Sequence, residues 1–429
     1  MRRILFYILT TITISLTISS CKLEEDNIFA ESSAVRLNNA RKEYRQILSD
    51  APNGWEMEYF PTAETEGYTF LMKFSNSDSV VIAAKNKYIG NTYKTETSFF
   101  DVIADDGPVL TFNSYNNPFH LFSNPEDPNG GTDLDGYGLK GDYEFIVLKA
   151  DSNLMTLKGK KRGTYIYLRR LETTESWPSY FAKLDAMDAK LFSTNISYLN
   201  LVTNSSVIKA YDGITHLFSL LEPGGDPVSG EKNVPFIVTT YGIRFHSAYT
   251  YGSSTFQDFA LNENETKLVS KEDANSYFEG PVLNTHLKES SSTWKMDTLN
   301  MSTNCKVRLR SLIAAMKKAY PTRSFEYFGI ANKATYQNSF VLKLTGAEAT
   351  FRVNFTAGNN DAVTISLPTD NTNLYDNNGK VFYGKSTEVA TTLSFFSGAY
   401  KVSTKVPLSI SRVHYERADN SNEFFEIYR

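Results

Sequence analysis

The sequence predicts a mainly β protein with a few helices, an α+β fold in which antiparallel sheet dominates. Short apolar runs with a period of two recur along the 429-residue chain, and clusters of Gly, Pro, Asn and Asp separate them. Tyr and Phe, which favour pleated and half-buried surfaces, number 26 and 29 against only 3 Trp. Amphipathic stretches with a helical period precede three groups of such runs.

The first group follows a helix predicted from Ser32 to about Leu48. In WEMEYF (55–60) the side chains alternate between an apolar face and a face that carries Glu56 and Glu58. Further runs follow at 67–74, 79–85, 98–104, 109–112, 142–150, 153–159 and 164–171. About eight strands joined by turns form a meander, which curls into a lipocalin-like barrel or a strongly curved antiparallel sheet. Residues 32–172 are therefore expected to form an N-terminal domain of one helix and a β-meander.

The remainder, residues 177–429, is expected to form a β-rich C-terminal domain of helices and sheet. Helices are predicted at about 178–193 and from about Lys306 to Ala319, where Pro321 ends the second one. Strand-like runs include PFIVTTYGIRFHSAYTY (235–251), EATFRVNF (348–355) and TTLSFF (391–396). A Ser- and Thr-rich stretch at 288–304 has the composition of a linker, so this domain could be divided there.

The N-terminus has the pattern of a secretion signal. Arg2 and Arg3 precede an apolar stretch from 4 to 16, and small residues stand directly before Cys21. This arrangement resembles a bacterial lipobox, which predicts a signal peptide at 1–20 and a lipidated Cys21. Several acyl chains, at about 0.8 kcal/mol per buried methylene, would anchor the protein firmly. The alternative is a non-lipidated signal peptide with an incidental cysteine.

An acidic tether is expected at 21–31, because Glu24, Glu25 and Asp26 follow the cysteine closely. An acidic cluster in this place resembles the surface-export signal of Bacteroidetes lipoproteins, which implies an outer-membrane lipoprotein exposed at the cell surface. The alternative is a plain solvated tether. Cys305 would be the one thiol left, and a small, partly buried apolar side chain is the favoured interpretation of it.

Composition excludes some classes of function. The net charge is −4 and the isoelectric point about 5.9, so nothing favours nucleic-acid binding. The sequence contains no HExxH, CxxC, GxSxG or Walker motif, and its 5 histidines are scattered. GYGLKG (136–141) matches a dinucleotide fingerprint, but a strand follows it where a helix is required. No catalytic residue is therefore predicted, although a site assembled from distant residues stays open.

One predicted strand carries a pair of carboxylates on the same face. Glu56 and Glu58 are two residues apart, so their side chains project from the same face about 7 Å apart. That separation is close to the carboxylate spacing of an inverting glycosidase. The pattern is also common on solvated faces of sheets, which is the favoured interpretation.

A loop rich in Gly and Pro offers a candidate metal site. Calcium prefers several carboxylate and carbonyl oxygens on a flexible loop. The segment PEDPNGGTDLDG (125–136) supplies Glu126, Asp127, Asp133 and Asp135. Because their spacing departs from the EF-hand pattern, a plain acidic loop is the alternative to calcium.

The segment SYNNPFHLF (114–122) is the candidate ligand-binding site. It combines Tyr115, Phe119 and His120 with neighbouring asparagines on an expected loop. Aromatic rings with a polar tip suit the faces of sugars, while amides can bond hydroxyl groups. The alternative is that these aromatic side chains belong to the core.

A family resemblance covers the N-terminal 170 residues closely. It is carried by SSAVRLNNARKEYRQILSDAPNGWEMEYFP (32–61), GYTFLMKFSNSDSVVIAA (67–84), DDGPVLTFNSYNNPFHLFSNP (105–125) and GDYEFIVLKADSNLMTLKGKKRG (141–163). These segments resemble a Bacteroidetes lipoprotein family described only as domain of unknown function 4302. The resemblance implies surface or periplasmic lipoproteins, often encoded near importers of the SusC/SusD type. It transfers no catalytic or binding residue.

These observations favour a lipid-anchored, non-catalytic accessory protein of the cell surface. It would bind or handle a nutrient, a glycan or a peptide, beside an outer-membrane importer. A hydrolase and a structural or adhesive surface protein are the alternatives. No cofactor is expected apart from the calcium considered above.

Overall fold

The computed structural model describes residues 31–429, apart from 106, 193–196, 205, 213–214, 223–227, 229–232, 334, 360 and 371–372. Within these residues the strands form two closed eight-stranded barrels and one nine-stranded sheet. The predicted mainly β fold with a few helices is confirmed, and the N-terminal meander closes into a barrel. The predicted signal peptide (1–20), Cys21 and the tether as far as residue 30 lie outside the described residues.

The first barrel follows helix α1 (Ser33–Ser49), which Ser32 caps by accepting a hydrogen bond from the Val35 amide. The short helix α2 (Asn117–His120) lies between its fifth and sixth strands. The strands are β1 (Trp55–Tyr59), β2 (Tyr68–Phe74), β3 (Ser79–Ala84), β4 (Lys94–Asp105), β5 (Gly107–Phe112), β6 (Glu144–Ala150), β7 (Leu154–Gly159) and β8 (Tyr165–Arg170).

Strand β1 closes this barrel because it pairs with β2 on one side and β8 on the other. Trp55 stands opposite both Met72 and Arg170. The alternate side chains from Trp55 to Tyr59 point inward and are at most 1% exposed, as the period of two predicts. The Trp55 indole N–H donates to the Leu48 carbonyl at 2.9 Å, which fixes α1 against the barrel.

Helix α3 (Trp177–Phe192) joins the two barrels and packs on both. Its N-terminal half places Tyr180 and Phe181 against the outer face of β2 and β3. Its C-terminal half places Met187 and Leu191 in the core of the second barrel. The outer face of the first barrel is therefore partly covered by protein.

The second barrel closes where β9 pairs with both β10 and β16. Stacked aromatic rings fill it, with the Phe218 centroid 4.4 Å from Phe236 and 5.1 Å from Phe278. Its strands are β9 (Ser197–Val202), β10 (Val207–Asp212), β11 (Leu217–Leu221), β12 (Val234–Thr239), β13 (Gly242–Tyr251), β14 (Ser254–Leu261), β15 (Lys267–Ser270) and β16 (Tyr277–Glu279).

The third unit combines a nine-stranded sheet with helices α4 (Leu283–Glu289), α5 (Thr303–Ala319), α6 (Asn377–Lys385) and α7 (Thr387–Phe396). The spatial order of its strands is β20-β19-β18-β17-β25-β24-β23-β22-β21. The two outermost strands are consecutive in the chain and meet at Val353, so the sheet curls round on itself. Its strands are β17 (Thr293–Met301), β18 (Phe325–Lys333), β19 (Gln337–Leu344), β20 (Ala347–Arg352), β21 (Asn354–Ala357), β22 (Ala362–Ser366), β23 (Gly398–Ser403), β24 (Arg412–Arg417) and β25 (Asn420–Tyr428).

Two local predictions in this unit are wrong. TTLSFF (391–396), predicted as a strand, is the end of helix α7, which Ser386 caps. Leu393 and Phe396 are three residues apart and both buried, so the helical spacing prevails over β propensity. The stretch 288–304, predicted as a linker, contains β17, which pairs with β18 and β25 inside the sheet.

The loop 404–411 connects the third unit to the second barrel. Leu408 belongs to the barrel core, whereas Ile410 belongs to the core of the nine-stranded sheet. The loop backbone passes so close to Gly280 that a Cβ there would lie 1.8 Å from the Pro407 carbonyl oxygen. Among the described residues, no helix has the length and apolar composition that crossing a bilayer requires.

Candidate functional site

The segment 113–124 leaves β5 at one end of the first barrel and turns back into it. Phe119 and Phe122 are at most 1% exposed and lie in the barrel core. The Phe119 ring centroid is 4.7 Å from that of Phe112 and 5.6 Å from that of Tyr59. Phe119 was predicted as a ligand-binding residue, and its burial removes it from any surface site. Two inserted aromatic side chains instead hold the segment in place.

Asn116 fixes the turn that precedes α2. Its side chain is completely buried and donates to the Glu96 carbonyl at 3.2 Å and to Ser98 Oγ at 3.3 Å. Pro118 occupies the first turn of α2, where a missing N–H costs nothing. These contacts join the segment to β4, so the residues around Asn116 have one defined conformation.

His120 is held by its own segment. Its Nδ1 lies 3.0 Å from the Asn116 amide nitrogen and 3.3 Å from the Asn116 carbonyl oxygen. Burial lowers the pKa of His120, while hydrogen bonds with the backbone of Asn116 and Phe112 act in the opposite direction. The imidazole is therefore neutral at pH 7 and contributes an uncharged aromatic ring.

Three rings, which we call the aromatic ladder, are in contact: the exposed rings of Tyr115 and Tyr143 both pack on the buried ring of His120. The centroid of Tyr115 lies 5.3 Å from that of His120, with an angle of 31° between the planes. The centroid of Tyr143 lies 5.5 Å from His120 on a plane inclined by 35°. Tyr115 is 60% exposed and Tyr143 is 44% exposed, so large apolar surface stands open to solvent.

A cleft of about 430 Å³, the rim cleft, opens beside Tyr115. Lys94 and Glu126, which line it, form no salt bridge with any described residue. Aromatic surface with a few free polar groups is the usual lining of a small-ligand site. The polar side chains that line the cleft are Tyr88, Lys94, Tyr115, Asn117, Glu126 and Asp127.

The predicted calcium loop uses carboxylates to form turns. Asp127 accepts from the Asn129 amide at 2.9 Å, and Asp135 accepts from the Asp127 amide at 3.2 Å. Glu126 and Asp133 are exposed. Among the described residues, no three His, Cys, Asp or Glu side chains are placed to hold one metal ion. Calcium at this loop stays a prediction without geometric support.

Sequence reasoning therefore indicated part of this site and missed the rest. Tyr115, Glu126 and Asp127 line the cleft, and His120 lies in the aromatic ladder. Tyr143 and Lys94 were missed because they come from the ends of separate strands, which the pairing of β4, β5 and β6 brings close to the segment after β5. The excess of tyrosine pointed in general terms to Tyr143, and no signal pointed to Lys94.

A second concentration of polar side chains lies where the two barrels meet. Glu56 and Glu58, expected on a solvated face, are only 7% and 1% exposed. The expectation is wrong because α3 and the second barrel cover the outer face of β1. We call the following side chains the joint cluster: Glu56, Glu58, Arg169, Tyr180, Arg244 and Asp258.

Arg244 is the centre of the joint cluster. This side chain of β13 is 6% exposed and forms ion pairs with Glu58 of the first barrel and, at 2.5 Å, with Asp258. Arg169 Nε donates to Glu58 Oε1 at 2.8 Å. Charges that are buried this deeply require partners, because removal from water costs several kcal/mol per ion.

Glu56, unlike Glu58, forms no ion pair closer than 4 Å with a described residue, and its pKa is shifted. Burial, together with the neighbouring charge of Glu58, raises its pKa from 4.5 to about 7. A hydrogen bond from Tyr180 on α3 and the charges of Arg244 and Arg169 act in the opposite direction. A carboxyl group with a raised pKa beside a second carboxylate resembles an acid–base pair. Neither lines the rim cleft, and their burial favours a structural joint.

A smaller cleft of about 320 Å³ lies between the first barrel, α3 and the second barrel. His216 Nε2 is 2.8 Å from Asp188 Oδ1, and its Nδ1 is 3.7 Å from Glu66 Oε2. Lys87 Nζ is 2.6 Å from Glu66 Oε1. These charged groups pair with one another across the cleft, whereas Lys94 and Glu126 of the rim cleft form no salt bridge with any described residue.

Solved structures with some likeness include subunits of bacterial DNA polymerase III. The beta chain from Streptococcus pneumoniae is 9% identical, and the match covers 92% of this chain and 97% of that chain with a TM-score of 0.13. The beta subunit from Thermotoga maritima is 11% identical, with coverages of 90% and 95% and a TM-score of 0.13. Likeness this weak carries no argument. No curated protein matches the chain.

A family model matches residues 25–263, which is more than half of the chain. The matched region runs through α1, the first barrel, helix α3 and the second barrel as far as β14. It therefore contains the aromatic ladder, the rim cleft and the joint cluster. The chain belongs to the family described as Domain of unknown function (DUF4302).

Proposed function

We propose that the protein is a lipid-anchored surface protein that binds a carbohydrate nutrient in the rim cleft without altering it chemically. The observation that carries this proposal is Tyr115, which is 60% exposed at the edge of a polar cleft. A large ring left in water at a defined position favours binding over packing.

The chemistry of the cleft suits a sugar. The face of a tyrosine ring can stack on the C–H groups of a sugar ring, and its hydroxyl remains available for a hydrogen bond. Asn117, Glu126 and Asp127 add donors and acceptors, and Lys94 adds a cation. This combination of one aromatic platform and convergent polar groups fits a hydroxyl-rich ligand better than an apolar one.

The cellular setting belongs to the same proposal. The lipobox-like sequence before Cys21 and the acidic residues after it support an outer-membrane lipoprotein that faces the medium. A partnership with an importer of the SusC/SusD type rests on family resemblance alone. Binding near an importer would raise the local concentration of its substrate.

A hydrolase is the second candidate, and the paired carboxylates Glu56 and Glu58 are the observation that would favour it. A substrate would have to displace α3 or separate the barrels to reach them, because both side chains are buried. The non-catalytic proposal requires no such movement.

The test is an array of host and dietary glycans, probed with the soluble chain from residue 27 to 429, with and without calcium. We expect a specific signal that Tyr115→Ala abolishes. The matched control is Tyr383→Ala, which removes a tyrosine that is 41% exposed on α6 of the third unit. This control should bind like the unaltered protein.

Three outcomes of the array would change the proposal of carbohydrate binding in the rim cleft. A signal that both variants retain would preserve carbohydrate binding but exclude the rim cleft. A complete lack of signal would contradict the proposal. A signal that appears only with calcium would support the predicted metal loop as well.

A further inference from the structure

The aromatic ladder reaches beyond the rim cleft. Tyr115 lines the cleft, whereas neither His120 nor Tyr143 does. The ring of Tyr143 nevertheless packs on the same His120 ring as Tyr115 does, with centroid distances of 5.5 and 5.3 Å from His120. A ligand that contacts both tyrosines must therefore be longer than one that fills the cleft alone.

Hydrogen bonds with the backbone hold parts of the aromatic ladder in fixed positions. His120 is 8% exposed, and its Nδ1 lies 3.0 Å from the Asn116 amide nitrogen. The backbone of Tyr143 is fixed as well, because its carbonyl accepts from the Phe112 amide at 3.3 Å. Rings held in this way lose little conformational freedom when a ligand arrives, which favours binding.

A fourth exposed ring lies on the neighbouring loop. Tyr137 is 68% exposed, with Lys140 Nζ 5.7 Å from its centroid. The adjacent Gly136 amide donates to the Pro125 carbonyl at 2.9 Å, which brings Tyr137 beside the acidic wall of the rim cleft. A further exposed tyrosine therefore belongs to the loop that also carries Glu126 and Asp127.

We propose that Tyr115 and Tyr143, whose rings both pack on the buried His120, form a track that binds separate sugar rings of one extended glycan chain. This inference rests on the proposed function and specifies its ligand as an oligosaccharide or polysaccharide rather than a single sugar. One sugar unit occupies the rim cleft against Tyr115, and the chain continues until a further unit stacks on Tyr143. Stacking of sugar rings on both tyrosines explains why large aromatic side chains remain in water here.

The test begins with the soluble chain in native gels that contain starch, xylan, mixed-linkage β-glucan or chondroitin sulfate. The disaccharide and hexasaccharide of a polysaccharide that retards the protein are then titrated by calorimetry. We expect the hexasaccharide to bind at least about tenfold more tightly, because only it reaches Tyr143. Tyr143→Ala should weaken hexasaccharide binding about fivefold and leave the disaccharide unchanged.

Two variants separate stacking from unfolding. Tyr143→Phe retains the ring, so hexasaccharide affinity should be preserved. Tyr383→Ala, remote from the ladder, should behave like the unaltered protein, and circular dichroism would verify that each variant is folded.

The outcomes also separate this inference from the proposed function. If Tyr115→Ala abolishes binding but the unaltered protein binds the disaccharide and the hexasaccharide equally, the proposed track is overturned, whereas carbohydrate binding in the rim cleft is supported. The same conclusion follows if Tyr143→Ala has no effect on the hexasaccharide. If none of the four polysaccharides is bound, the track is overturned, and a negative glycan array would then overturn the proposed function too.

Discussion

Glu56 projects from the outward face of β1, yet only 7% of it is exposed. A period of two assigns a side chain to one face of a strand, but it cannot say what covers that face. Here α3 brings Tyr180 against Glu56, and the second barrel brings Arg244 against Glu58. Two residues typical of a solvated surface consequently become the polar centre of a domain interface.

Substitution Glu56→Gln should change the pH dependence of stability. The pKa of Glu56 is raised from 4.5 to about 7, so the folded state holds this proton more tightly than the unfolded state. The proton on Glu56 stabilises the folded state fully below pH 4.5, and this stabilisation is lost as the pH rises through 7. Glutamine cannot ionise, so the variant should match the unaltered protein at pH 4 and exceed it by up to about 3 kcal/mol at pH 8. Urea unfolding at a series of pH values measures this, and parallel profiles for the two proteins would contradict it.

Substitution Arg244→Met should destabilise the protein strongly. It leaves Glu58 and Asp258 buried without their shared cation, which costs about 3–5 kcal/mol. Urea unfolding of both proteins gives the difference. Lys160→Met is the matched control, because Lys160 pairs with Asp105 where both side chains are about one third exposed. Its cost should be much smaller than that of Arg244→Met, because solvent screens an exposed ion pair, and an equal loss in the two variants would refute the importance of the joint cluster.

Two connecting elements join the three sheets by contributing side chains to more than one core. Helix α3 places Phe181 against the first barrel and Leu191 in the core of the second. The loop 404–411 places Leu408 in the second barrel and Ile410 under the nine-stranded sheet. Loops are generally exposed, so buried apolar residues on one indicate a fixed contact between units.

Substitution Leu408→Ala tests this contact. Leu408 is 2% exposed, and removing most of its side chain leaves a cavity at a cost of about 2–5 kcal/mol. We expect faster proteolytic cleavage within 404–411 and a separate, earlier unfolding transition in calorimetry. Val381→Ala, at a side chain of α6 that is 50% exposed, should change neither measurement. Unchanged cleavage in the Leu408 variant would show that the loop is not a fixed contact.

At the scale of the whole molecule, three cores of aromatic and aliphatic side chains lie in one chain whose N-terminus carries the lipobox-like sequence. The rim cleft and the aromatic ladder belong to the first barrel, which is also nearest in sequence to Cys21. The second barrel and the third unit supply no part of either. In the proposed function they are available for contacts with a protein partner.

Substitution Cys21→Ser should prevent lipid attachment. Without the thiol no acyl chain can be added, so metabolic labelling with palmitate should be lost and the protein should leave the membrane fraction. Cys305→Ser is the matched control, because Cys305 is 3% exposed in the core of the third unit. It should retain the label. Labelling that survives the Cys21 substitution would exclude the lipobox interpretation.

The sequence by itself determined the class of fold, the family and much of the first barrel. Periodicity and residue type are local properties. The alternation from Trp55 to Tyr59 and the start of the first helix at Ser32 could therefore be recognised directly. Local pattern also indicated Tyr115, because an aromatic residue between asparagines suits a loop. The same pattern wrongly assigned Phe119 to the ligand-binding surface. A segment of this composition can also turn back and bury its aromatic side chains in the barrel core.

Only the tertiary structure decided which faces meet. Burial of Glu58 depends on Arg244, a residue far away in the chain, and neither side chain has a local signal for the other. Tyr143 joins the aromatic ladder only because the pairing of β6 with β5 brings the residue before β6 beside His120. The physical reason is that local spacing fixes the direction of a side chain along its own element, whereas the partner across an interface is chosen by packing among elements.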